Sequence, residues 1–237
     1  MNQKPKILTI IPARGGSKGL PNKNILDLNG IPLIVHSILS AKNCKECGDV
    51  IISTDDKNIA NIAKKYKADV PFIRPKELAT DESKTIDVLI HSLNMMESIK
   101  NIKYEIVILL EPTCPLKKAR DIKNCLELFM QNQPGSVVSV YEETKLHPSQ
   151  LKIIKNGYIS PYEIKNLQDG IPRQLLEPKV YAKNGAVYVC RRDNILGGDL
   201  YGKNIIPYIM SEEASINIDS KLDLMLAESY LQLIRQK

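Results

Sequence analysis

Along the first 140 positions, short runs of aliphatic and β-branched residues alternate with longer stretches whose apolar residues recur every three or four places. KILTIIP precedes IPLIVHSILSAK, DVIISTD precedes KNIANIAKKYK, VPFIRP precedes TIDVLIHSLNMMESI, EIVILLEP precedes ARDIKNCLELFMQN, and SVVSVYEE ends the series. The first member of each pair has the length and composition of a strand, the second the period of a helix with one buried face. The alternation predicts an α/β fold, with a mostly parallel sheet and helices on both faces. Strands that are apolar at nearly every position fit burial from both sides.

After about residue 141 the rhythm changes. LKIIKNGYISPY reads as a hairpin turning at Asn156-Gly157, and a polar, Pro-containing stretch, QDGIPRQLLEPK, follows it. The pattern then returns with GAVYVCRR, IIPYIM and SINIDS as strand-like runs and KLDLMLAESYLQLIRQ as a final amphipathic helix. We therefore expect one domain over residues 1–237 with an insertion at about 142–182. No internal repeat or low-complexity tract is present.

A chain of 237 residues can bury a full core, and its 43% apolar and 25% charged residues argue against extensive disorder. No apolar run approaches the roughly 20 residues of a membrane span, and the start lacks a secretory leader, so a cytoplasmic protein is expected. Five cysteines, an odd number, do not suggest a disulfide framework. The pair in CKEC, Cys44 and Cys47, has neither a second CxxC nor a nearby His pair, and no metal is assigned there.

The net charge of +6 suggests anionic partners: nucleic acid, a membrane surface or phosphorylated small molecules. With no Trp, two Phe and tyrosines that do not interleave with a basic run, the chain lacks stacking platforms for single strands. Small polyanions fit better.

The densest positive charge lies in ARGGSKGLPNKN, residues 13–24, directly after the first strand. Its spacing matches neither GxxxxGK[ST] nor GxGxxG. The physics of those loops still applies: Gly15, Gly16 and Gly19 allow unusual backbone angles and close approach, Arg14 offers a planar fork, and Lys18 offers a mobile charge. STDD and EPTCP also follow strands, and ligands of open α/β sheets sit beyond the carboxyl ends of strands. The three segments are expected to converge on one crevice.

IPARGGSKGLPNKN resembles the signature of the CMP-sugar synthetases, or acylneuraminate cytidylyltransferases. STDD, RPKELATDES, LLEPTCPL, KNGAVYV and SINIDSKLDL resemble further segments of that family in the same order, so the likeness spans essentially the whole chain. The resemblance implies a Rossmann-like nucleotidyltransferase whose inserted region dimerises, giving a homodimer. It also implies Mg²⁺-dependent transfer of CMP from CTP to a nonulosonic acid of the sialic, legionaminic or pseudaminic type. Pyrophosphate is released and the sugar is activated for cell-surface glycan synthesis. Arg14, Gly15, Gly16, Ser17, Lys18 and Lys23 would then bind the triphosphate and Asn24 the nucleoside, with Arg74 and Thr85 completing the nucleotide pocket. Arg14, Lys18 and Asp219 would carry the chemistry. No covalent nucleophile is required, and Cys114 is expected to be buried beside the sheet.

By the same resemblance, SINIDS supplies the metal site, with Asp219 as ligand and Asn217 as a weaker one where the family usually has Asp. Residues two apart on a strand share a side, which would bring the two together. Asp223 reads equally as a first-turn carboxylate of the last helix. The acceptor side would comprise Glu111, Arg173, Asn184 and Tyr188. Sialic-acid-specific members often have Gln in place of Glu111 and Lys in place of Gln150, so this chain departs from them at both positions. His147, before Pro148, reads as a loop residue, and His36 and His91 as structural. Two other readings remain: transfer to another acid sugar or a sugar phosphate, and a non-catalytic nucleotide- or nucleic-acid-binding protein.

Overall fold

The computed structural model of the protein describes residues 4–162 and 170–235. The first strand, β1 (Ile7–Pro12), is followed by a short hairpin of β2 (Asp27–Leu28) and β3 (Ile31–Pro32), then by α1 (Leu33–Lys42), β4 (Asp49–Ser53), α2 (Lys57–Lys65) and α3 (Thr85–Lys100). Next come β5 (Ile106–Leu109), α4 (Ala119–Asn132) and β6 (Ser136–Glu142), and a second hairpin of β7 (Lys152–Lys155) and β8 (Tyr158–Pro161). The chain closes with β9 (Tyr181–Arg191), α5 (Arg192–Leu196), β10 (Ile205–Met210) and α6 (Lys221–Arg235).

Six strands form the main sheet in the order β4-β1-β5-β9-β6-β10, all parallel except β9, which runs antiparallel to both its neighbours. The expected mostly parallel α/β sheet is therefore present. One face packs on α1, α2 and α4 through a cluster including Ile11, Ile38, Ile59, Cys125 and Phe129. The other packs on α3 and α5 through Leu89, Leu93, Met96 and Ile195. A smaller cluster, Leu28, Leu33, Ile218 and Ala227, seats α6 on the β2–β3 hairpin.

Two strand-like runs form no strand. Asp69, just before VPFIRP, makes an isolated bridge and accepts from the Ile52 N–H, and within the run the Arg74 N–H bonds to the Thr54 carbonyl. Pro71 and Pro75 remove the donors a ladder would need. SINIDS lies outside any strand too, although Ile218 is buried and donates its N–H to the Thr113 carbonyl, leaving Asn217 and Asp219 exposed on either side of it. The side-sharing expected of these two residues therefore survives without a sheet.

The insertion leaves after β6 and returns at β9, closed at its neck by the Glu143 N–H bond to the Val180 carbonyl. Its hairpin turns at Asn156 and Gly157, with φ of 53° and 81°, the left-handed pair that a two-residue hairpin loop requires. Among the described residues no helix is long and apolar enough to cross a membrane.

Candidate active site

The sheet order places β4 on one side of β1 and β5 on the other, so the loops leaving β1 and β5 diverge and open a crevice between them. A cavity of 660 Å³ occupies it. Arg14, Ser17, Lys18, Lys23 and Asn24 reach it from the first loop, Arg74 and Thr85 from the crossover to α3, Glu111 from the end of β5, and Asn217 and Asp219 from the segment before α6.

The glycines of the first loop act by close approach. None has a left-handed φ, contrary to the expectation of unusual angles. A Cβ on Gly15 would lie 2.7 Å from Asp56 Oδ2, and one on Gly19 2.7 Å from the Asp219 carbonyl oxygen. Gly16 has open space around it. The loop is thus pressed between STDD and SINIDS. Asp55 Oδ1 accepts the Gly15 N–H at 3.1 Å, while Asp56 caps α2 by accepting the N–H groups of Asn58 and Ile59 at 2.7 and 2.9 Å. Asn24, buried, donates from Nδ2 to the Arg14 carbonyl at 3.0 Å and fixes the loop's far end.

Arg14 Nη2 and Lys18 Nζ each pair with Asp81, at 2.7 and 2.8 Å. Lys23 Nζ donates to Asp219 Oδ1 at 2.8 Å, and Asn217 Nδ2 donates to Asp219 Oδ2 at 2.7 Å. Asp223 accepts from the backbone N–H groups of Asp219 and Ser220 and from Ser220 Oγ, while its own N–H donates to that hydroxyl. This is a capping box for α6, so of the two roles considered for Asp223 the structure favours the first-turn one.

Arg74 is only 4% exposed, and its Nε and Nη2 have no hydrogen-bond partner. Asp55 Oδ1 stands 3.7 Å from Nη2. Burial, more than any neighbouring charge, lowers the guanidinium's pKa. A planar cation whose empty donors are sealed just behind a cavity wall can meet a ligand's acceptors once the wall shifts to admit them.

Glu111 is the corresponding carboxylate on the β5 side. Burial pushes its pKa up, partly offset by Lys117. Its carboxylate lies against Gly185, whose φ of 73° and lack of a side chain make room for it, which accounts for the Gly of KNGAVY. Lys117, 2% exposed, donates to the Glu111 and Cys114 carbonyls at 2.7 and 2.6 Å and pins the EPTC turn; burial lowers its ammonium to about 8. Cys114 is fully buried, with its thiol pushed up to about 11 by burial, which leaves it unsuited to nucleophilic work.

Not every expected residue reaches the cavity. Asn184 is buried behind it with its amide engaged: Oδ1 accepts from Ser139 Oγ and the Ala186 N–H, and Nδ2 donates to Ser215 Oγ. Tyr188 belongs to the core beneath α3, where burial raises its hydroxyl pKa. Arg173 begins a short 3-10 turn (Arg173–Leu175), and its side chain lies outside the described residues. Gly15 and Gly16 shape the loop without lining the cavity. His147 contacts Ser149 Oγ and the Pro178 carbonyl, a loop role.

Three residues escaped sequence reasoning. Asp55 sits in a segment that was singled out, but nothing told its side chain from that of Asp56. Asp81, in ATDES, has no periodic context, and Lys117 looks like its exposed neighbour Lys118.

Comparison with known proteins bears on this arrangement. The sequence model of the family described as Cytidylyltransferase matches residues 8–233. The chain is 42% identical to a pseudaminic acid cytidylyltransferase of Campylobacter jejuni, over 94% of this chain and 95% of that one. It is 34% identical to a CMP-N,N'-diacetyllegionaminic acid synthase of Legionella pneumophila, over 96% of this chain and 97% of that one. In fold it is similar to a CMP:2-keto-3-deoxy-manno-octonic acid synthetase solved with CTP, with a TM-score of 0.70 at 20% identity, covering 96% of this chain and 99% of that one. The chain belongs to the cytidylyltransferase family of nucleotidyltransferase enzymes.

Proposed function

We propose that this enzyme transfers CMP from CTP to the anomeric hydroxyl of a nonulosonic acid and releases pyrophosphate. One observation carries the reading: a single cavity is lined by Arg14, Lys18, Lys23 and Arg74, whose Nε and Nη2 have no hydrogen-bond partner, together with the carboxylates of Glu111 and Asp219. Cations for a triphosphate and a separate wall for an acceptor are the two halves such a transfer needs. Relatives named for pseudaminic and legionaminic acid indicate the acceptor class.

In the transfer, the acceptor hydroxyl oxygen forms a bond to the α-phosphorus while the bond from that phosphorus to the bridging oxygen breaks, its electron pair leaving with pyrophosphate. The hydroxyl proton passes to base. The protein's work is positioning and charge neutralisation. Arg14, Lys18 and Lys23 hold the phosphates, Arg74 and Thr85 close the nucleotide end, and Asn24 keeps the loop in register. Glu111 faces the acceptor, Arg173 pairs with its carboxylate, and Asn184 and Tyr188 hold the strand behind Glu111.

Among the described residues no three His, Cys, Asp or Glu side chains form a metal cage. Asp219 and Asn217 offer oxygen donors alone, a sparse hard set that suits Mg²⁺, an ion that keeps water and takes substrate phosphates into its shell. These two residues would hold it, and the ion would supply neutralisation of the charge developing on the phosphates. Lys23 and Asn217 steady the Asp219 carboxylate from either side.

The β7–β8 hairpin exposes Ile154, Tyr158 and Ile159 by 80%, 80% and 72%. A two-stranded hairpin so exposed needs cover. A homodimer formed through the insertion provides it.

The test is incubation of the purified protein with CTP, Mg²⁺ and a panel of legionaminic, pseudaminic and N-acetylneuraminic acids while pyrophosphate is measured. Release with at least one acid is expected. Release with none overturns the proposal, and release with a sugar phosphate instead would transfer the activity to a different acceptor class.

A further inference from the structure

Asp81 stands on the turn between Arg74 and α3 and faces the first loop across the mouth of the cavity. One carboxylate oxygen takes Arg14 Nη2 at 2.7 Å and the other takes Lys18 Nζ at 2.8 Å, and Arg14 Nη1 donates to the neighbouring Thr80 carbonyl. The turn is held from below, because Ser83 Oγ accepts the Thr80 N–H at 3.0 Å and donates to the Glu77 carbonyl at 3.0 Å. Asp219 also takes one cation of the loop, Lys23, whereas the two remaining aspartates near it are used differently. Asp55 and Asp56 accept backbone N–H groups and so hold the loop and α2 in shape. Asp81 accepts from the two mobile cations, whose N–H groups are the donors a phosphate chain would use.

We propose that Asp81 is an internal counter-anion of the phosphate site: it occupies Arg14 and Lys18 in the empty enzyme, yields them to the triphosphate, and retakes them as pyrophosphate leaves. The inference rests on reading this cavity as the triphosphate site. A carboxylate and a phosphate oxygen compete for the same charge-assisted bonds, so every ligand that needs both cations binds against the cost of displacing Asp81. The same competition assists departure. Pyrophosphate carries several charges into a basic loop, and its release is speeded when a tethered anion recaptures each cation as it is freed. The Lys18 hydrogen bond, followed by the charges of Lys18 and Arg14, keeps the Asp81 carboxyl below the usual range, so the competitor stays ionised at neutral pH.

The experiment compares wild type, Asp81→Asn and Asp81→Glu by calorimetric titration with inorganic pyrophosphate in the presence of Mg²⁺, together with steady-state kinetics in CTP. Each exposed ion pair is worth a few-fold in equilibrium, so Asp81→Asn is expected to bind pyrophosphate about tenfold more tightly. Its KM for CTP and its kcat should fall together, and Asp81→Glu should stay near wild type. If Asp81→Asn binds pyrophosphate equally or more weakly, Asp81 merely positions Arg14 and Lys18, and the proposal is overturned. If none of the three proteins binds pyrophosphate, the triphosphate reading fails and this inference fails with it.

Discussion

Replacing Arg74 with methionine should make the ligand-free protein more stable and its grip on nucleotide weaker. Arg74 Nε and Nη2 are sealed from solvent without a hydrogen-bond partner, and each such group costs about 1–3 kcal/mol. Asp55, 3.7 Å away and partly exposed, returns at most about 1 kcal/mol. Methionine fills a similar unbranched volume without polar atoms. The net gain is about 2 kcal/mol, which for a chain of this size is about 4–8 °C in Tm. A ligand that satisfies the empty donors gains about 1.5–3 kcal/mol from them, so the variant's Kd for CTP should rise about ten- to a hundredfold. Thermal unfolding with and without CTP reads both effects in one experiment, because a bound ligand raises Tm in proportion to its affinity. If the variant melts below wild type without nucleotide, the guanidinium is holding the fold together. If its CTP-induced shift equals that of wild type, Arg74 is not a nucleotide ligand. Either result refutes the reasoning.

Glu111→Gln should stabilise the protein at neutral pH and leave it unchanged near pH 3. The folded-state pKa of Glu111 is raised by burial, so the folded protein binds the proton more tightly, and stability is lost as pH rises from the unfolded pKa through the folded one. Chemical denaturation at a series of pH values checks this, and a gain that persists at pH 3 would contradict it. Asp219→Ala should reduce Mg²⁺-dependent turnover about a hundredfold while moving Tm by less than about 2 °C, since the Asp219 side chain is itself largely exposed. Normal turnover in that variant would remove Asp219 from the metal site. Ile154→Asp with Ile159→Asp should halve the mass seen by light scattering, and an unchanged mass would place the dimer contact elsewhere.

The layers of the fold were legible because they rest on local periodicity. The helix read from ARDIKNCLELFMQN spans Ala119–Asn132, the same residues, and IIPYIM is β10. VPFIRP was misread because β-branched composition says nothing about backbone donors, and two of its six residues are proline. The orientation of β9 was out of reach for a related reason: direction follows from where a long connection returns, and that connection is the insertion. Side-chain partners behaved in the same way. Arg14 and Lys18 announced themselves by density of charge beside glycines, whereas their partner Asp81 lies over 60 positions away in an unpatterned turn.

The uneven legibility of the site follows from how its two halves are built. The phosphate half is a contiguous loop after one strand, so its chemistry is written in consecutive residues. Of the two uses expected of the glycines there, unusual angles and close approach, the second is the one found: Gly15 against Asp56 and Gly19 against Asp219 are packing facts that involve partners 41 and 200 positions on. The acceptor half, as proposed, draws on β5, β9 and the insertion; of its residues Glu111 lines the cavity while Asn184 and Tyr188 are buried away from it, a sorting that sequence spacing does not encode. Asn184 and Glu111 illustrate the difference. Both are polar residues near strand ends, but the Asn184 amide is taken up by Ser139, Ala186 and Ser215, while the Glu111 carboxylate is pressed against Gly185 and turned to the cavity. On the proposed reading Glu111 is the acceptor-side residue left free to discriminate between sugars, and substitution there should alter acceptor preference more than CTP affinity.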